Sequence, residues 1–293
     1  MPQGRIMKAL SGFYYVKNQE GTFQCRGRGL FRKKKLTPLV GDQVIFTADN
    51  QTEGYITEIL PRKTELVRPP IANIDQAIIA VSAKEPNFST ILLDRFLVLV
   101  ASNGLEPVIF VTKIDLLNPG EEEEIDDLVK TYRSNGYRVM KLTTKQTLDY
   151  EAIHPILVDK ISVIAGQSGV GKSSFLNALD SDLQIKTDEI SNSLGRGKHT
   201  TRHVELLEVA GGLVADTPGF SSLEFDQISL EELPDCFPEF FSRKANCKFR
   251  GCMHINEPKC AVKNAVNEDQ IADFRYQHYL QFYQEIQSRK PRY

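Results

Sequence analysis

Several short stretches of this chain have residue types and spacings that could do chemistry. Gly166, Gln167, Ser168, Gly169, Val170, Gly171, Lys172 and Ser173, continued by Ser174, fit the pattern of a phosphate-binding loop. Glycines there let backbone amides converge on phosphate oxygens, Lys172 sets a cation on the β and γ phosphates, and the Ser173 hydroxyl can ligate Mg²⁺. Further on, Asp216-Thr217-Pro218-Gly219 offers a carboxylate for a second contact to Mg²⁺ and, at Gly219, an amide for the γ-phosphate. Thr112, Lys113, Ile114 and Asp115 precede the loop, and the Asp115 carboxylate can accept two hydrogen bonds from the ring N–H and exocyclic amine of guanine. Adenine lacks that donor pair, which disfavours an ATP-dependent enzyme.

The segment 196–201 lies between the phosphate loop and Asp216, where a loop sensing the γ-phosphate belongs, and Thr200 or Thr201 could close on Mg²⁺ through a hydroxyl. The position after Gly219 holds Phe220, where the GTPase template has a water-orienting glutamine. A replacement must come from elsewhere. His199 is the nearest candidate, because a neutral imidazole could accept a hydrogen bond from the attacking water; His203 is the second. A separate constellation, Cys247, Cys252, His254 and Cys260, offers three thiolates and an imidazole and reads as a closed tetrahedral zinc set.

The elements that must position these residues follow from hydrophobic periodicity. Residues 74–81, 107–112, 137–142 and 161–165 read as strands, 91–102, 121–135 and 173–179 as helices, and 204–209 and 213–215 as two further strands. Strand and helix in alternation build a mostly parallel sheet with helices on both faces. The phosphate loop then sits between a strand and a helix, Asp115 follows a strand end, and Thr143-Thr144, after the next strand, can back up the base. The acidic run 121–124 is expected to be the N-terminal turn of a helix, where the dipole favours negative charge.

Residues 1–68 differ in kind. Short apolar and aromatic runs at 12–16, 40–46 and 54–60, separated by turn residues and by the basic run Arg32, Lys33, Lys34 and Lys35, predict a small all-β barrel. Pro69-Pro70 then reads as a linker. The barrel segment carries a net positive charge while the chain as a whole is −2, so a polyanionic partner meets that end first. From about residue 225 a helical, Cys-rich tail follows, in which Ile271, Phe274, His278, Phe282 and Ile286 share one helix face, expected to pack on the tail's own core. Five cysteines are an odd number for a disulfide framework, and Cys25 and Cys236 read as ordinary buried thiols. No apolar run approaches the length of a membrane span and no signal-peptide pattern opens the chain, so a cytoplasmic location is expected.

Guanine reader first, phosphate loop second and Asp-Thr-Pro-Gly third is a circular permutation of the usual GTPase order. With the Cys-Cys-His-Cys tail, the chain resembles the ribosome small-subunit-dependent GTPase A family, the RsgA/YjeQ type, over essentially its whole length. The resemblance implies a multidomain α/β chain: an OB-type β-barrel that binds RNA over 1–68, a circularly permuted P-loop GTPase domain over 69–224, and a zinc-binding helical domain over 225–293. It implies a monomer that hydrolyses GTP to GDP and phosphate in late maturation of the small (30S) ribosomal subunit, contacts its rRNA, is stimulated by the subunit, and carries one zinc ion besides Mg²⁺ with GTP. Thr112 departs from the Asn common at that position and removes an amide contact to the base. A binding module that uses GTP only as an affinity switch is the competing reading, and turnover measurements separate the two. Connectivity adds an expectation: Phe220 and the residues after it lead directly into the tail, so movement at Asp216 to Gly219 pulls on that module.

Overall fold

The structure is a computed structural model that describes residues 1–29, 31, 36–67, 69–143, 150–179, 204–216 and 223–289, with the backbone only at Asp216. Strands β1 (Gln3–Leu10), β2 (Phe13–Asn18), β3 (Gly21–Gly27), β4 (Gln43–Ala48) and β5 (Gly54–Ile59) form the N-terminal barrel. They pair in the order β1-β2-β3-β5-β4, and β4 returns to β1 to close it. Alternation along each strand sends Ile6, Val16, Cys25, Val44, Phe46 and Ile56 inward, where all are fully buried. β1 and β3 are absent from the apolar runs of the sequence, because their apolar residues are diluted by Gln, Lys and Arg on the outer face.

The Pro69-Pro70 linker is a correction. β6 (Glu65–Val67) and β7 (Pro70–Ala72) pair as a two-stranded hairpin, with Pro70 opposite Val67. Proline is tolerated at the first residue of such an edge strand, where it forfeits no required donor. Leu66 and Ile71 are buried, and Arg62 grips the buried Asp42 with two hydrogen bonds of 2.7 and 2.8 Å. The segment is therefore fastened to the barrel.

Beyond the hairpin lies the parallel sheet. β8 (Gln76–Ser82), α1 (Thr90–Ser102), β9 (Glu106–Thr112), α2 (Pro119–Ser134), β10 (Arg138–Lys141), α3 (Tyr150–Leu157), β11 (Ile161–Ala165), α4 (Lys172–Leu179), β12 (Val204–Val209) and β13 (Gly212–Asp216) succeed one another. Strand order is β10-β9-β8-β11-β13-β12, parallel except for β12. β8 and β11 are buried throughout, as strands covered on both faces must be, hence their unbroken apolar runs. The acidic run is the start of α2: Asn118 and Glu121 form a capping box and Pro119 holds the first helical position. α3 is not among the expected helices, because Pro155 inside it disrupts the helical signal. β12 also pairs with β1 of the barrel at Lys8↔Glu205 and Ala9↔Val204, so one sheet runs through both regions.

In the tail, α5 (Pro238–Phe241), α6 (Ala261–Asn267) and α7 (Asp273–Gln287) surround Phe237, Phe240, Tyr279 and Phe282. The buried face of α7 is Arg275, Tyr279, Phe282 and Ile286: Phe282 and Ile286 lie on the expected face, while Phe274 and His278 are only half-buried and Arg275 and Tyr279 take the centre. Arg275 is 1% exposed and bonds Asp94 of α1 and, at 2.7 Å, Glu239. Asp94 also accepts from Tyr132 at 2.7 Å and contacts His278 Nδ1 at 2.6 Å. The helix is thus wedged between its own core and α1, and this buried charge network escapes any reading that seeks hydrophobic periodicity. Such networks fix orientation more than they add stability. The tail is thereby anchored through α1 to the β8–β9 half of the sheet.

Candidate functional site

In an open α/β sheet, ligands bind beyond the C-terminal strand ends where the strand order reverses. Here β9 and β10 lie on one side of β8 while β11 and β13 lie on the other, so the reversal falls between β8 and β11. The phosphate loop leaves β11 at that point. Gly166 adopts φ +142°, and a Cβ there would meet the Ala80 carbonyl oxygen of β8 at 2.2 Å, so no other residue fits. Ser173 is buried in the first turn of α4. Lys172 Nζ donates to the carbonyls of Gly166 (2.8 Å) and Gln167 (2.6 Å), folding over its own loop.

Burial lowers the Lys172 pKa to about 8, because desolvation disfavours the ammonium form. Phosphate oxygens would restore the charged form, so the bound pKa lies above the free one. Affinity for GDP is therefore expected to be level below about pH 8 and to fall above it by up to about tenfold per unit, with proton uptake on binding. Calorimetry in buffers of different ionisation enthalpy checks this. Zero proton uptake above about pH 8 would contradict it.

On the far side of β8, β9 ends at Thr112 and the chain turns through Lys113, whose φ of 59° is left-handed, into a 3₁₀ turn over Ile114–Leu116. Asp115 is half-buried there, and Thr143 Oγ1, beyond β10, donates to its Oδ1 at 3.0 Å. The structure thus brings Asp115 and Thr143 together. Lys113 Nζ donates to the Glu85 carbonyl, tying the turn to the loop after β8. Thr112 is buried, and its hydroxyl donates to the Val170 carbonyl at 2.6 Å and the Val81 carbonyl at 3.2 Å. This hydroxyl joins the end of β9 to the phosphate loop, so the Asn-to-Thr departure bears on how the loop is held.

Asp216 closes β13, parallel to β11 and therefore beside the phosphate loop. Arg32 to Lys35, Thr144, Arg196, His199, Thr200, Thr201, His203, Gly219 and Phe220 lie outside the described residues.

The tail forms a second site. The ligand atoms of Cys247, Cys252, His254 and Cys260 all lie within 4.8 Å of one another. His254 directs Nδ1 at Cys260 Sγ (3.2 Å) and Cys247 Sγ (3.7 Å), while buried Nε2 has no hydrogen-bond partner among the described residues and the ring meets Phe240 edge to face. Three thiols and one imidazole nitrogen converging in a largely buried pocket are a donor set compatible with one zinc ion.

The barrel carries a surface that sequence reasoning missed. Cys25 points inward, so its neighbour Arg26 points out, with its guanidinium 4.8 Å from the Phe13 ring centroid. Arg26 pairs across β3 and β5 with Tyr55, which is half exposed. The period-two alternation of β3 is the signal that could have found it.

A phosphate loop at the switch point, a guanine-type motif at the end of β9, across β8 from it, and their inverted order along the chain define a circularly permuted P-loop GTPase, a GTP hydrolase. Residues 3–56 match the RsgA N-terminal domain family and residues 59–226 the RsgA GTPase family. The chain is 58% identical over its whole length, and the relative's, to the small ribosomal subunit biogenesis GTPase RsgA of Bacillus cytotoxicus. It is 61% identical to the protein of that name from Geobacillus thermodenitrificans, again with both chains fully covered. Among solved structures, YloQ, a circularly permuted GTPase, superposes with a TM-score of 0.87 at 51% identity, covering 100% of this chain and 97% of that one. YjeQ from Thermotoga maritima gives 0.87 at 38% identity, covering 98% and 99%. The chain belongs to the RsgA GTPase family.

Proposed function

We propose that this chain is a cytoplasmic, monomeric GTPase that acts in late maturation of the small ribosomal subunit, binds its rRNA, and is stimulated by it. The observation that carries this reading is full-length identity near 60% to proteins named for small-subunit biogenesis. Residues 1–68 would serve as the RNA-binding barrel, 69–224 as the GTPase domain and 225–293 as the zinc domain. The outward Phe13, Arg26 and Tyr55 combine a cation with two aromatic faces, as single-strand RNA readers of the OB type do. No helix among the described residues is long and apolar enough to cross a membrane.

In this mechanism Asp115 selects guanine and Thr143 holds its carboxylate. The amides of Gly166 to Ser174 and the Lys172 ammonium cradle the phosphates, and Gly219 contributes an amide to the γ-phosphate. Ser173, Asp216 and Thr200 or Thr201 would hold Mg²⁺, which when bound neutralises charge developing on the phosphates. Cys247, Cys252, His254 and Cys260 would hold one zinc ion that organises the tail. His199 orients the attacking water. His199→Ala is expected to lower subunit-stimulated turnover about 10²-fold while GTP affinity stays within about threefold. Loss in His203→Ala instead would move the role to that residue, and retention in both would assign the group to the ribosome.

The reading is tested by sedimenting the protein with purified small subunits in the presence of a non-hydrolysable GTP analogue, GDP or no nucleotide. Co-sedimentation is expected to be strongest with the analogue. Equal, weak binding in all three conditions would contradict it.

A further inference from the structure

We propose that the loop 247–252 of the tail is a stacking site for an unpaired RNA base, with Phe249 as the platform and Lys248 and Arg250 as the phosphate contacts. This rests on the proposal that the partner is RNA.

The loop is fixed at both ends by residues of the metal cluster, Cys247 and Cys252, and turns at Gly251, whose φ is +69°. The Lys248 amide also bonds the Lys259 carbonyl at 3.3 Å, which ties the loop to the segment bearing Cys260. A loop so constrained holds its intervening side chains outward: Lys248, Phe249 and Arg250 are all exposed. Phe249 is 43% exposed, with the Lys248 ammonium 5.2 Å from its ring centroid. The same combination recurs at Phe241, 54% exposed beneath Lys244 at 4.2 Å.

A lone exposed phenylalanine would need no explanation. The charge around this one does. Residues 241–263 carry Arg243, Lys244, Lys248, Arg250, Lys259 and Lys263 against a single acid within that span, Glu257, and of these cations Lys244 is paired with Asp235 at 2.8 and 2.9 Å. Both Glu257 oxygens are taken up by the Met253 and Ile255 amides at 2.8 and 2.9 Å, so that carboxylate stabilises the metal-binding turn. The positive charge of the chain is therefore concentrated here as well as in the barrel. Cations select a polyanion, and flat rings beside them select bases with a free face. A base inside a duplex offers no such face, which points to a loop, bulge or single strand.

The full-length, metal-loaded protein provides the test, and it contains no tryptophan. Phe249→Trp therefore creates a single reporter at the platform. Titration with a short single-stranded oligoadenylate is expected to quench its emission, whereas an RNA duplex of the same length leaves it unchanged. Phe249→Ala is expected to weaken single-strand binding about tenfold, the scale of one lost base–aromatic stack, with metal content and RNA-free GTP hydrolysis unaltered. Joint replacement of Lys248 and Arg250 by Gln is expected to flatten the salt dependence of binding. Wild-type affinity in Phe249→Ala together with unmoved emission in Phe249→Trp would overturn this placement alone. No RNA binding by the wild-type chain would overturn both the placement and the RNA reading beneath it. Displacement of the oligoadenylate from this site by polyglutamate at equal charge would overturn the placement in favour of an acidic protein partner.

Discussion

Asp115→Asn is expected to weaken binding of GDP and GTP by about 10²-fold or more and to turn the preference toward xanthosine nucleotides. The Asp115 carboxylate is an acceptor at both oxygens, and Thr143 Oγ1 already donates to Oδ1 at 3.0 Å. In the Asn variant the hydrogen bond donated by the Thr143 hydroxyl is kept when the amide oxygen faces it. The amide N–H₂ is then turned toward the base. It would oppose the guanine amine, donor against donor, in a site that otherwise satisfies its polar groups, and such mispairing is costly. Xanthine presents a carbonyl at that position and accepts the hydrogen bond instead. Competition of a fluorescent GDP analogue by GTP and by xanthosine triphosphate measures both halves. Unchanged GTP affinity would mean that Asp115 does not read the base.

Stripping the metal, or replacing Cys252 or His254 by Ala, is expected to unfold the tail, because metal binding supplies about 10 kcal/mol of folding free energy in small zinc modules. Its consequences reach further than the four ligands. Tyr276 and Tyr279 of α7 bond the carbonyls of His254 (2.7 Å) and Met253 (2.5 Å), so α7 is fastened to the metal-binding turn. Loss of α7 withdraws Arg275 from Asp94, which is completely buried. Leaving one member of a buried ion pair behind costs about 3–5 kcal/mol. The GTPase core is thus expected to keep binding GDP but to melt at a lower temperature than in the intact protein. Circular dichroism, GDP binding and thermal melts before and after chelation check this. Zinc well below one equivalent in protein prepared without chelator would contradict the assignment.

What can be read from the residues and what cannot divides along physical lines. Strands β8 and β11 and helices α1 and α2 are legible because long apolar runs and cap residues are local signals. Phosphate loop, Asp115 and the cysteine–histidine set are legible because their chemistry depends on residue type at fixed spacing. The Pro69-Pro70 segment misleads because proline's exclusion from sheets lapses at an edge, and α3 escapes notice because Pro155 sits inside it. Two further features depend on distant parts of the chain meeting. Arg275 meets Asp94 only once α7 lies on α1, and Thr112 meets Val170 only once β9 and the phosphate loop share a sheet edge. No periodicity announces either contact.

On the proposed function, this permuted GTPase turns over GTP in response to the small ribosomal subunit. Multiple-turnover phosphate release, monitored while purified small subunits are titrated in and repeated with ATP, tests it most directly. Slow release from GTP by the protein alone, rising with subunit concentration to saturation, with no release from ATP under any condition, is the predicted result. A rate indifferent to the subunits, or equal hydrolysis of ATP, would contradict it.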